Sequence, residues 1–189
     1  MGSPRDRHAE VLDGLEAIFF AEGAGLSVDA LAQRLKCSKR TLYQIGAGKR
    51  ELLLAVIARW SDRIAAGAAT ARAAAEPVDR LSAFLAPGVT ESRGISRQFL
   101  RDVAEDPVLD AGFRAHQQQR MAGLADLLRE GILAGLYRPI NVELVAALCI
   151  GAIDRLDDPS TLEASGMDFG SAFETFYGLL MEGLRRPRD

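Results

Sequence analysis

Leu26-Ser27-Val28-Asp29-Ala30-Leu31-Ala32, then Ser38-Lys39-Arg40-Thr41-Leu42-Tyr43 and Lys49-Arg50-Glu51-Leu52-Leu53, is the stretch that decides the fold. Ser27 and Ser38 both stand where a helix N-cap belongs, since a serine hydroxyl accepts a bond from one of the first unpaired amides. Ser27 precedes Val28, Leu31 and Leu35 at helical spacing. Ser38 opens a very short helix through Tyr43 or Gln44, and Gly46 and Gly48 break it. Two short helices in succession read as a helix-turn-helix, in which the second offers a polar N-terminal face to a major groove while its apolar back packs on its neighbours. Lys39, Arg40, Thr41, Tyr43 and Gln44 supply the polar face, and Leu42 supplies the back.

Charge points the same way. Between Leu26 and Arg50 stand Arg34, Lys36, Lys39, Arg40, Lys49 and Arg50 against Asp29 alone. That local +5, set against a whole-chain −3, leaves −8 elsewhere. A basic island on an acidic body is a docking surface that the average hides. Arg34 and Lys36 read as plain solvated charges, and Tyr43 has a competing reading as a packing residue.

Outward from this stretch almost every segment has the helical period, and no alternating strand emerges. A first helix is expected over about 5–22, carrying Val11, Leu15, Ile18 and Phe19. A long helix follows Gly48, with Leu52, Val56, Trp60 and Ile64 on one face and an alanine-rich end before Pro77. Next come a short helix from Pro77 ended by Pro87-Gly88, another over 95–103, and a long one opened by Pro107. Asn141 caps an almost wholly apolar helix over about 142–156, and a loop runs through Asp157-Asp158-Pro159 to Gly166. A final helix, about 168–186, carries Phe169, Phe173, Phe176, Leu180 and Leu184. The expectation is an all-α chain of about nine helices: a three-helix DNA-binding domain over 1–50 and a larger helical domain over 51–189.

With 189 residues, 48% hydrophobic and 26% charged, the chain can bury a core, which excludes disorder, collagen and disulfide scaffolds. Cys37 and Cys149 form neither a disulfide framework nor a metal spacing. Neither a membrane span nor a secretory signal is expected, so the location read from sequence is the cytoplasm. His8 and His116 are the only histidines, and no phosphate loop or nucleophile motif occurs, so no enzyme, cofactor or metal is expected.

The quoted stretch resembles the N-terminal domain of TetR-family transcriptional regulators, most closely in Thr41-Leu42-Tyr43 and in Lys49 with Glu51-Leu52-Leu53. The resemblance implies DNA contacts from Ser27, Ser38, Lys39, Arg40, Thr41, Tyr43, Gln44 and Lys49. Ser27, Tyr43 and Lys49 would meet phosphate, and Lys39, Arg40, Thr41 and Gln44 would meet bases or backbone. Ser27 and Lys49 also lie at helix N-termini, where amides and the dipole favour anions. The sequence departs from the family twice. Lys36 stands where the turn usually holds glycine, and so is expected at positive φ. Gly46 replaces a phenylalanine, with Ile45 as the available substitute.

For the body the resemblance implies a small-molecule effector site and dimerisation through the last two long helices. Ala147, Ile150, Gly151, Phe173, Phe176 and Leu180 are the interface candidates, because an almost uniformly apolar helix must be covered on nearly all sides. Trp60, Phe84, Phe99, Phe113, His116 and Tyr137 are candidates to line a partly apolar pocket, though each taken alone reads more readily as core, and His116 beside Gln117-Gln118-Gln119 as a surface residue. The whole reading is a homodimeric repressor of a palindromic double-stranded DNA operator, released by an effector. The rival is a helical adaptor that docks the basic island on an acidic protein partner.

Overall fold

The structure, a computed structural model, describes residues 4–185. Ten helices occur among them: α1 Pro4–Glu22, α2 Val28–Arg34, α3 Lys39–Tyr43, α4 Lys49–Ala74, α5 Arg80–Ser92, α6 Arg97–Glu105, α7 Pro107–Leu133, α8 Val142–Leu156, α9 Pro159–Ser165 and α10 Phe169–Leu184. Local chemistry sets the boundaries. Ser27, Ser38, Ser96, Asp106, Asn141, Asp158 and Asp168 all accept bonds from first-turn amides of the helices they precede.

α4 is the spine. Leu52, Val56, Trp60 and Ile64 are fully buried along one side of it, and it packs on α1, α5 and α7. Trp60 stacks on Phe113 of α7, the ring centroids 5.2 Å apart and nearly parallel. Its indole N–H donates to the Glu91 carbonyl of α5 at 2.9 Å. Phe20 of α1 meets Trp60 and Phe99 edge-on, so one aromatic cluster joins α1, α4, α6 and α7. Packing of this kind contributes about 0.5–1.5 kcal/mol per ring pair beyond burial.

Several boundaries differ from expectation, among them the start of α5, which lies at Arg80 rather than in a first turn at Pro77. The helix that Pro87-Gly88 was expected to end runs on to Ser92, because its buried stripe continues from Leu81, Phe84 and Leu85 to Gly88 and Ser92. Pro87 only removes the donor to the Ala83 carbonyl. The expected loop after Asp157 instead contains α9, opened by Asp158 with Pro159 in the first turn. No helix among the described residues is long and apolar enough to cross a membrane.

Candidate nucleic-acid interface

The link between α2 and α3 is a Schellman turn. The Lys36 amide donates to the Gln33 carbonyl at 3.2 Å and the Cys37 amide to the Ala32 carbonyl at 3.0 Å, the paired bonds that close a helix through a left-handed residue. That residue is Lys36, at φ 49°, and it alone among the described non-glycine residues has positive φ. Arg7 of α1 donates to the Lys36 carbonyl at 3.1 Å, tying the turn down. Ser38 then caps α3, its hydroxyl accepting from the Thr41 amide at 3.1 Å and lying 2.9 Å from the Thr41 hydroxyl. Leu31 and Leu42 are fully buried beneath the turn, while Lys39, Arg40, Tyr43 and Gln44 are exposed. Tyr43 at 52% exposure is therefore not a packing residue.

The island's charges are less free than their count implies. Arg34, expected to be solvated, forks onto the Glu22 carboxylate. Lys39 pairs with Asp29, which raises its pKa. The Lys49 ammonium donates to the Ala24 carbonyl at 2.7 Å, and Arg50 pairs with Asp106 at 2.6 Å. Lys36 and Arg40 enter no ion pair among the described residues. Ser27 accepts from the Ala30 amide at 3.2 Å. The start of α4 has no side-chain cap, since Gly48 holds the N-cap position, so its first amides stay open to an anion.

The Gly46 departure has a steric cause. A Cβ there would lie 2.7 Å from the Glu51 backbone carbon and 2.8 Å from the Leu52 amide nitrogen. The link folds directly onto the first turn of α4 and leaves no room for an aromatic side chain. Ile45 is half-buried against the core beside it.

The head is fastened to the body at several places, among them Ser96, whose amide donates to the Phe20 carbonyl at 2.7 Å. Asp102 of α6 accepts from the Ala24 amide at 2.5 Å, and Asp106 both caps α7 and holds Arg50. The Arg50 guanidinium, with help from the capping amides, keeps the Asp106 carboxyl below the usual range. Deeper in, Arg63 of α4 bridges Glu16 of α1 and Glu91 of α5, and its pKa is raised chiefly by the Glu16 bond.

A cavity of about 460 Å³ opens between α4, α5 and α7. Phe84 and His116 line it; Tyr137 lines a neighbouring cavity and Phe113 a third. Trp60 and Phe99 are packed core at 1% and 0% exposure. His116, expected on the surface, is buried, its ring 5.2 Å from that of Trp60. Sequence reasoning missed the α4 wall of this cavity, Ala65, Ala68, Ala69, Arg72 and Ala73. The available signal was small residues recurring every three to four positions on one helix face, which leaves room beside it.

Of the interface candidates, Ala147 and Gly151 are exposed and Ile150, Phe176 and Leu180 half-buried. Phe173 is buried at 1% against Phe169 and Tyr177 of its own chain, so it belongs to the core. Leu144 and Leu148 of α8 and Leu179 of α10 are each more than half exposed.

A helix-turn-helix set on a helical body with its own cavity defines the class of the molecule. No family model matches the sequence, and no curated protein matches it. Solved structures do match. The TetR-family regulator PfmR from Thermus thermophilus is 21% identical, with 93% of this chain and 99% of that one covered and a TM-score of 0.66. A TetR-family regulator from Agrobacterium tumefaciens is 15% identical over 97% and 100%, with a TM-score of 0.71. A protein from Saccharomonospora viridis solved in complex with choline is 13% identical over 97% and 100%, with a TM-score of 0.72. The chain has the fold of the TetR-family regulators.

Proposed function

We propose that the chain is a sequence-specific, DNA-binding transcriptional regulator that acts as a homodimer, a repressor released from a palindromic operator by a small molecule. The observation that carries this reading is α3 itself. A cap and a Schellman turn fix its orientation, Leu42 anchors its back, and Lys39, Arg40, Tyr43 and Gln44 face outward. On this reading Lys39 exchanges Asp29 for DNA, and Arg40 reaches base edges, a good contact being worth about 1–3 kcal/mol. Ser27, Tyr43 and Lys49 hold phosphate, the open amides of α4 supporting Lys49. The domain division at about residue 50 falls at the start of α4, which runs on into the body.

The exposed leucines of α8 and α10, with Ala147 and Gly151 permitting close approach, support pairing with a second copy. Two heads so joined would read half-sites about 34–36 Å apart. Release follows if the effector prefers a dimer whose heads no longer match that spacing. The route is physical: His116 in the cavity wall touches Trp60, Trp60 holds the Glu91 carbonyl, and Glu91 and Glu16 share Arg63.

The test is selection of binding fragments from random double-stranded DNA, followed by gel shift at several salt concentrations. A palindromic consensus bound far more tightly than random DNA supports the proposal; equal binding of all sequences overturns it.

A further inference from the structure

We propose that the cavity between α4, α5 and α7 takes an amphipathic carboxylate, an apolar chain of medium length whose head is held by Arg72 and Arg80. This deepens the regulator reading and rests on the cavity being the effector site. The volume, about 460 Å³, lies within the roughly 300–1,000 Å³ usual for small-molecule sites. Away from the arginines the lining is mostly apolar: Ala65, Ala68 and Ala69 of α4 with Phe84 and Gly123, interrupted only by His116 and Gln119 of α7 among the described residues. The other end is cationic, with Arg72 and Arg80 both lining it and no carboxylate among the described lining residues.

The two guanidiniums share one counter-charge. Glu130 bonds Arg72 through Oε1 and lies 4.0 Å from Arg80 through Oε2. Arg80 also donates to the Ala75 carbonyl, at a long 3.5 Å. Two cations on one anion leave a net positive charge at the cavity's half-exposed end. Arginine's planar fork suits a second carboxylate there. Ala65 and Arg72 are separated by about 10 Å of helix rise, the reach of a medium alkyl chain. A quaternary ammonium would meet like charge, and a neutral alcohol would leave the guanidiniums unused.

The chain supplies its own reporter. Trp60 is the only tryptophan, and its ring lies 5.2 Å from the His116 ring in the cavity wall. The full chain is titrated with decanoate, decanol and decyltrimethylammonium, following tryptophan fluorescence and, independently, calorimetric heat. Decanoate should bind at least about tenfold more tightly than decanol, with the ammonium weakest. Arg72→Gln combined with Arg80→Gln should bring decanoate down to the decanol level and leave decanol unchanged. Arg80→Gln alone, at a half-exposed side chain, serves if the double variant does not fold, and should lower the decanoate-to-decanol ratio. Equal affinity for acid and alcohol, preference for the ammonium, no binding of decanoate, or an unaltered ratio in the variants overturns the proposal. The regulator reading is tested separately on DNA. A chain that binds decanoate but no DNA sequence selectively keeps this inference and loses that reading, and one that binds operator but not decanoate does the reverse.

Discussion

Replacing Lys36 by glycine isolates the energetics of the turn between α2 and α3. At φ 49° a side chain crowds the following carbonyl, at about 1–2 kcal/mol. Glycine removes that strain but loses about 0.5–1 kcal/mol more backbone entropy on folding. Little else changes, because the Lys36 side chain is exposed and the bond from Arg7 goes to its backbone carbonyl. The two terms leave a net stabilisation of about 0.5 kcal/mol, or about 1–2 °C in Tm for a domain of this size. The same motif supplies the opposite experiment. Gly135 closes α7 at φ 74° with the matching pair of bonds, to Ile132 and Gly131. Gly135→Lys should therefore cost about 0.5 kcal/mol. Urea melts of both variants, fitted with a common slope, are the assay. A Lys36→Gly protein destabilised by more than about 1 kcal/mol would refute the strain argument. If the exposed ammonium at this strained position serves DNA, the glycine variant should also show a salt slope shallower by up to about one unit.

Gly46→Ala forces a Cβ onto the α4 backbone and should cost about 1–3 kcal/mol by thermal melt. Lys39→Ala with Arg40→Ala should abolish sequence preference in a gel shift, whereas Lys49→Ala should weaken all sequences alike and flatten the salt slope by about one. Leu148→Glu changes a residue 62% exposed in the single chain, so sedimentation should show a folded monomer; an intact dimer would place the interface elsewhere. Burial, with Asp154 adding, pushes Asp157 up to about 8 against the pull of Arg114. The folded chain thus keeps a proton that the unfolded chain releases near pH 3.9, so stability should fall as pH rises from about 4 to 8 and level off above. Asp157→Asn should flatten that fall, and an unchanged profile between pH 5 and 8 would locate the titration in another group.

The head is legible because its signals are local: a serine before each short helix and a leucine at the back; the left-handed conformation of Lys36 is implied only by the resemblance, since nothing in a lysine calls for it. Where packing outvotes a strong punctuation mark, the sequence misleads. Pro87-Gly88 is an ordinary stop, yet the stripe it interrupts is buried on both sides and carries the helix through. Asp158-Pro159 is an ordinary start, obscured by the loop-like run of aspartates around it. Periodicity shows that a long helix has faces but not which neighbour each face meets, and so it leaves His116 in solvent rather than against Trp60. The cavity escapes for the same reason, being written in what the alanines of α4 lack.

The place where α5 crosses α4 has a consequence for the size of what the protein can hold. Gly67 lies directly beneath Pro87, where a Cβ would come 3.2 Å from the proline's own Cβ. The same two helices carry opposite walls of the cavity, with Ala68 and Ala69 on one and Phe84 on the other. Position 67 therefore acts as a shim. A methyl added there meets Pro87 at the crossing, and position 67 itself is not among the cavity's described lining residues, so its first effect should be on the spacing of the two helices. A glycine at the crossing lets the two helices that form opposite walls of the cavity approach as closely as they do.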